Sequence, residues 1–162
     1  MSGEGGSTDS APPPTLTDFH WALRAEVFRV FASTTRAPTL DALAAWSGRS
    51  RSENLGALDA LEAGHHLALL PDRSGVWMAN PFSAIPTGYP VDTERGRFWA
   101  NCAWDALGIP AILGIDGWTE ARCAATDTSV SYGVKDGRRV GDRGVIHLVV
   151  PPRSAWDDIG FT

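Results

Sequence analysis

Between Thr17 and Ala79 the sequence divides itself into three helices and a hairpin, and that order limits the fold more than any other feature. From Asp18 the apolar residues Phe19, Ala22, Leu23, Val27, Val30 and Phe31 recur at the spacing of one helical face. Thr17 or Asp18 is available as the cap. Pro38 closes the linker, Thr39 can cap a second helix carrying Leu40, Leu43, Ala44 and Trp46, and Gly48 supplies its stop. Ser50-Arg51-Ser52-Glu53 has the form of a capping box, in which Ser50 and Glu53 satisfy each other's free backbone amides. The third helix, with Leu55, Leu58 and Leu61, closes at Gly64. Leu67 to Leu70 and Val76 to Ala79 read as strands either side of Pro71-Asp72-Arg73-Ser74-Gly75. Three helices followed by a hairpin is the order of a winged helix-turn-helix, so residues 17–80 are expected to form a winged-helix-like domain.

The flanks read differently. Residues 1–16 are rich in Gly, Ser and Pro without apolar periodicity, which predicts a disordered tail. Pro81, Pro86 and Pro90 form a joint, and beyond it the pattern becomes α/β in content. Phe98-Trp99-Ala100 ends a strand and Ala103 to Leu107 makes a short helix. Later strands fall at Trp118 to Ala124, Val130 to Val134 and Val145 to Val150, with Asp136-Gly137 a tight-turn signal between two of them. The fold class is therefore α+β, with residues 81–162 forming a small mixed β-sheet domain whose short helix carries Cys102 and Asp105.

Bulk properties exclude several functions. The chain of 162 residues is 43% hydrophobic and 20% charged, with a net charge of −5. Lys135 is its only lysine. That balance argues against broad electrostatic binding to nucleic acid or to an anionic membrane. No apolar run reaches the roughly 20 residues of a membrane span, and the N-terminus lacks the basic-then-apolar order of a secretory signal. A cytoplasmic protein is expected. Two cysteines are too few for a disulfide framework and read as free thiols.

Trp99-Ala100-Asn101-Cys102-Ala103-Trp104-Asp105 is the stretch that carries chemistry. With Cys102 at a helix start, Asp105 falls about one turn later on the same face. A thiol there meets the positive end of the backbone dipole, which favours thiolate, the form that binds soft metals. A neighbouring carboxyl group can carry a proton to or from a bound reactant. A soft ligand beside a proton carrier suits cleavage of a bond between a soft metal and carbon. Spacing alone favours the plainer reading, since a free Cys among alanines is usually a small buried hydrophobe and an Asp at i+3 a helix-start residue. Trp99 and Trp104 flank Cys102 and can wall an apolar substrate pocket or belong to the core, with Trp104 leaning to core.

Asn101 to Ala111 resembles the signature of the alkylmercury (organomercurial) lyase family, a Cys with an Asp three residues on. Asn80-Pro81-Phe82-Ser83, Pro86-Thr87, Arg122-Cys123-Ala124-Ala125-Thr126, Val149-Val150-Pro151-Pro152 and Trp156-Asp157-Asp158-Ile159 agree in order, so the resemblance runs from about Asp18 to Thr162. It implies protonolysis of a carbon–mercury bond for mercury detoxification, with Cys102 a ligand of the substrate mercury and Asp105 the proton shuttle. Thiolate is the preferred partner of a soft metal. Cys123 matches a further cysteine of the family, for which a structural role is expected. No cofactor is implied beyond external small thiols that accept mercury, with mercuric reductase as a downstream partner. The family's second mercury-binding cysteine is expected just after the segment resembling Ile159-Gly160-Phe161-Thr162, where this sequence stops, which reads as a C-terminal truncation.

Two other readings compete. A winged-helix DNA-binding regulator would need a basic recognition helix, yet Glu53 to Gly64 carries Glu53, Asp59 and Glu62 and no Arg or Lys. A mercury-binding or thiol-reactive protein without turnover would take up metal through Cys102 and release no hydrocarbon. The histidines His20, His65, His66 and His147 lack ligand-like spacing and read as structural.

Overall fold

The first helix of the computed structural model begins where the capping chemistry placed it; the structure describes residues 14–148, 150–151 and 154–160. Helix α1 spans Asp18–Thr34, α2 Leu40–Ser47 and α3 Arg51–Ala63. Thr17 caps α1, its amide donating to His20 Nδ1 at 3.0 Å, so the reciprocal partner is a histidine. The Thr39 hydroxyl accepts from the Ala42 amide, and Gly48 ends α2 in the left-handed conformation at φ 68°. Ser50 and Glu53 close the expected box, with Glu53 N to Ser50 Oγ at 3.2 Å and Ser50 N to Glu53 Oε2 at 2.9 Å. These bonds satisfy amides that a bare helix start leaves open.

Strands β1 (Ala68–Leu69) and β2 (Val76–Ala79) form the expected hairpin, and β3 (Phe82–Ser83) adds a third strand on the far side of β2. Three helices and a hairpin thus follow in the predicted order. Of the tail expected over residues 1–16, residues 1–13 lie outside the described residues, while Leu16 packs against the core.

The second sheet has the order β5-β4-β6-β7-β8, built from β4 (Pro90–Thr93), β5 (Gly96–Trp99), β6 (Gly117–Arg122), β7 (Ser129–Lys135) and β8 (Arg138–Gly141). Every pairing in it is antiparallel. This corrects the mixed sheet expected from sequence. Short turns join β4 to β5, β6 to β7 and β7 to β8, and such turns connect only antiparallel neighbours. Asp136 and Gly137 both adopt positive φ, 49° and 70°, and turn β7 into β8 with Lys135 opposite Arg138. The strand expected at Val145 to Val150 is absent among the described residues of that stretch. Residues 142–148 carry no strand, Val145 is 92% exposed, and Val149 lies outside the described residues. Among the described residues the last strand is β8, whose residues Arg138 and Arg139 are too polar to announce it.

Helix α4 (Asp105–Leu113) covers one face of this sheet. Strand β6 alternates buried and exposed residues, turning Gly117, Thr119 and Ala121 inward. Gly117 leaves space for Pro110 of α4, whose Cβ would lie 2.9 Å from a Cβ added there.

Phe82 joins the helical half to this second half. It is 2% exposed, stacks on Phe31 of α1 at a centroid distance of 5.3 Å, and meets Phe98 of β5 at 5.7 Å. Both separations lie within the range of favourable aromatic pairs. One hydrophobic core therefore runs from Leu23, Val27 and Phe31 through Phe82 to Val91, Phe98 and Ile109.

Candidate active site

Cys102 sits in the loop between β5 and α4, in a turn whose carbonyl accepts from the Ala106 amide at 3.1 Å. The helix starts at Asp105 and ends at Leu113, later and longer than the expected Ala103 to Leu107. The turn ahead of it keeps the one-turn spacing, so the thiol and the carboxylate still face each other. Cys102 Sγ donates to Asp105 Oδ2 at 3.4 Å.

Both groups are partly buried, and this decides their protonation. Burial pushes the Cys102 thiol above its ordinary pKa; the amides of Asp105 and Trp104 pull it down, and the Asp105 charge pushes it further up. Burial likewise raises the Asp105 carboxyl, partly offset by hydrogen bonds from Cys102 and Asn101. A helix start by itself would depress the thiol. Here desolvation and a facing carboxylate outweigh the backbone donors, so the resting group is the thiol.

The loop is braced by residues far away in sequence. Asn101 Nδ2 donates to Asn80 Oδ1 at 2.7 Å and to the Phe82 carbonyl at 3.2 Å. Phe82 forms an isolated antiparallel bridge with Ala100, and the Thr87 hydroxyl donates to the Ala100 carbonyl at 2.6 Å. From β7 the Tyr132 hydroxyl donates to the Ala103 carbonyl at 3.0 Å. Burial, with Tyr89 and Cys102 nearby, pushes the Tyr132 phenol up to about 12. Asn80, Thr87, Asn101 and Tyr132 were not singled out from sequence as site residues. The first three lie inside the segments that resemble the lyase family; Tyr132 is a strand residue whose only signal is its place in an apolar run.

The remaining expected site residues fall elsewhere. Trp104 is 68% exposed, so it is not core. It precedes α4 and presents its ring to solvent beside the Cys102 turn. Trp99 is half-buried on β5, paired with Pro90. Cys123 follows β6, its amide donating to the Thr128 carbonyl at 2.9 Å. Its thiol is partly exposed rather than packed away, and hydrogen bonds from Thr126 and the Ala125 amide lower its pKa.

The charge pattern of α3 is closed by ion pairs. Arg73 pairs with Asp59 and Glu62, and Arg51 with Asp41 at 2.8 Å. Among the described residues no helix is long and apolar enough to cross a membrane.

The site is a half-buried thiol facing a half-buried carboxyl group at the start of a helix, on an α+β scaffold. The alkylmercury lyase family model matches residues 82–162, half of the chain, and the protein belongs to that family. Among solved structures the mercury-bound form of MerB2 is similar, with a TM-score of 0.64 at 20% identity. The likeness covers 77% of this chain and 60% of that one, and at this identity it speaks for the fold. The chain thus spans less than two thirds of that relative's length. No curated protein matches the sequence.

Proposed function

We propose that this chain cleaves the carbon–mercury bond of organomercury compounds by protonolysis, yielding a hydrocarbon and Hg(II). The observation that carries this reading is the 3.4 Å contact between Cys102 Sγ and Asp105 Oδ2, half-buried together in a member of this family.

The arrangement can move one proton twice. A resting thiol is a poor mercury ligand, so it must lose its proton as mercury arrives. Asp105 is the acceptor within reach: the S–H bond breaks, the sulfur lone pair forms the S–Hg bond, and the displaced ligand departs with its electron pair. Asp105 then holds the proton in a site where burial already favours its neutral form. Delivery of that proton to the carbon breaks the C–Hg bond, whose electron pair forms the new C–H bond. Hydrocarbon leaves, Asp105 is a carboxylate again, and Hg(II) stays on Cys102. Thiolate suits mercury because both are soft, and the electron density it donates makes the carbon easier to protonate. External small thiols take the metal from Cys102, with mercuric reductase as its destination. The exposed ring of Trp104 and the half-buried Trp99 are offered as walls for the organic group, and Cys123 is given a structural part. The reading places the chain in the cytoplasm.

The test is product analysis with the purified chain, phenylmercury and excess small thiol. Benzene release that disappears in Cys102→Ala and in Asp105→Ala supports the proposal. Stoichiometric mercury uptake dependent on Cys102 with no benzene would overturn it in favour of a binding protein without turnover.

A further inference from the structure

Away from Cys102, a cavity of about 120 Å³ lies between the helical module and the described C-terminal residues. That volume is room for about four waters, or for one small organic group. Arg24, His65 and His66 line it, and among the described residues no acidic side chain does. Leu67, Met78 and Trp156 supply apolar wall.

The basic groups are fixed in place without carboxylate partners. Arg24 lies over the Phe28 ring at 4.4 Å and donates through Nε to the His66 carbonyl at 3.5 Å. Among the described residues it makes no ion pair, and no protein acceptor meets its terminal nitrogens. His65 is stacked on Trp156 with centroids 4.5 Å apart and planes 3° from parallel. His66 meets the Trp21 ring edge-on at 4.7 Å. Burial depresses the His66 pKa, and the charges of Arg24 and His65 depress it further. Three basic side chains thus converge on one cavity in a protein whose net charge is −5. Several of its other arginines are paired with carboxylates, as Arg29 is with Glu26 and Arg97 with Asp92. An uncompensated cluster of this kind is stabilised by an incoming anion.

We propose that this cavity is a binding site for a small organic carboxylate, held by Arg24 with His65 and His66 and resting its apolar body on Leu67, Met78 and Trp156. The planar guanidinium matches a carboxylate two bonds at a time. The apolar walls favour an anion with a hydrocarbon body over a fully hydrated one such as phosphate. Cys102 does not line the cavity, so the site stands whether or not the chain cleaves organomercurials.

The experiment is titration of the full chain with benzoate, with benzyl alcohol and inorganic phosphate in parallel, read by calorimetry and by the imidazole resonances of His65 and His66. Saturable benzoate binding that shifts both imidazoles is expected. Arg24→Gln should weaken it at least about tenfold, the loss expected for a charge-assisted pair. Cys102→Ser should leave it unchanged. The proposal is overturned if benzyl alcohol binds as well as benzoate, if phosphate binds better, or if millimolar benzoate leaves both imidazoles unmoved. It is equally overturned if folded Arg24→Gln binds benzoate normally. Should Arg24→Gln fail to fold, the contrast between benzoate and benzyl alcohol on the unaltered chain decides the matter.

Discussion

Asp105 accepts the thiol hydrogen of Cys102 at 3.4 Å while burial raises the pKa of both groups, so at neutral pH the carboxylate is held in a place that disfavours its charge. The folded pKa of Asp105 lies above the ordinary 3.8. Its contribution to stability is therefore full below that value and is lost as pH rises through the folded pKa. Asp105→Asn removes the charge, keeps the shape and retains an acceptor for the thiol. It should raise the melting temperature at pH 7, with an advantage that shrinks as pH falls toward 4. On the proposed mechanism it should also lower turnover by about 10²- to 10⁴-fold, the worth of a positioned proton carrier. Melting curves at the two pH values, beside a benzene-release assay, check both halves. A less stable Asn variant at pH 7 would contradict the electrostatic account.

The two cysteines should react in the reverse of the order their proposed roles suggest. Cys123 is partly exposed and its pKa is lowered by Thr126 and the Ala125 amide, whereas burial raises that of Cys102. Only thiolate attacks an alkylating agent. At pH 7.5 iodoacetamide should therefore label Cys123 faster, by about an order of magnitude or more. The Cys102 rate should climb as pH passes 9.0, its ordinary value, toward its raised one. Peptide mass spectrometry on timed samples gives both rates. Faster labelling of Cys102 at pH 7.5 would mean that its backbone donors outweigh desolvation.

How much of this was legible in the sequence depends on the range of the interactions concerned. Helix starts at Thr17, Thr39 and Ser50 and the turn at Asp136-Gly137 are written within four residues, and the structure has all of them. The Cys102–Asp105 contact is also local, since one turn of backbone sets it. What escaped is long-range or energetic. β4 lies in the proline-rich joint, where Pro90 opens a strand whose partner β6 comes only after β5 and α4. Tyr132 reaches the Ala103 carbonyl from 29 positions further along the chain. The direction of the Cys102 shift depends on how deeply the loop is buried, and spacing does not report depth.

Asn101 ties the Cys102 loop to the helical half, so its loss should be felt in both stability and chemistry. Asn101→Ala removes the bonds to Asn80 Oδ1 and to the Phe82 carbonyl and withdraws a donor from Asp105. About 1–3 kcal/mol of destabilisation is expected, because the Phe82 carbonyl loses a partner. A double-mutant cycle with Asn80→Ala should return a coupling energy of about 0.5 kcal/mol or more. Denaturant titrations of the four proteins measure it. Strictly additive effects would show that the pair contributes nothing beyond its separate contacts.

Phe82 offers the sharpest test of the shared core. It is 2% exposed and touches rings from both halves, Phe28 and Phe31 on one side and Phe98 on the other. Its backbone also pairs with Ala79 through β3 and with Ala100 beside the Cys102 loop. Phe82→Ala should cost about 3–5 kcal/mol, the range for deleting a buried ring. It should also split a single unfolding transition into two, because the stack that couples α1 to β5 is gone. Chemical denaturation followed by tryptophan fluorescence and by far-UV circular dichroism separates these outcomes, since Trp21 and Trp46 report on the helical half and Trp99 and Trp118 on the sheet. Coincident curves with a loss under about 1 kcal/mol would mean that the two halves are joined elsewhere, and that the Cys102 loop does not depend on this ring for its position.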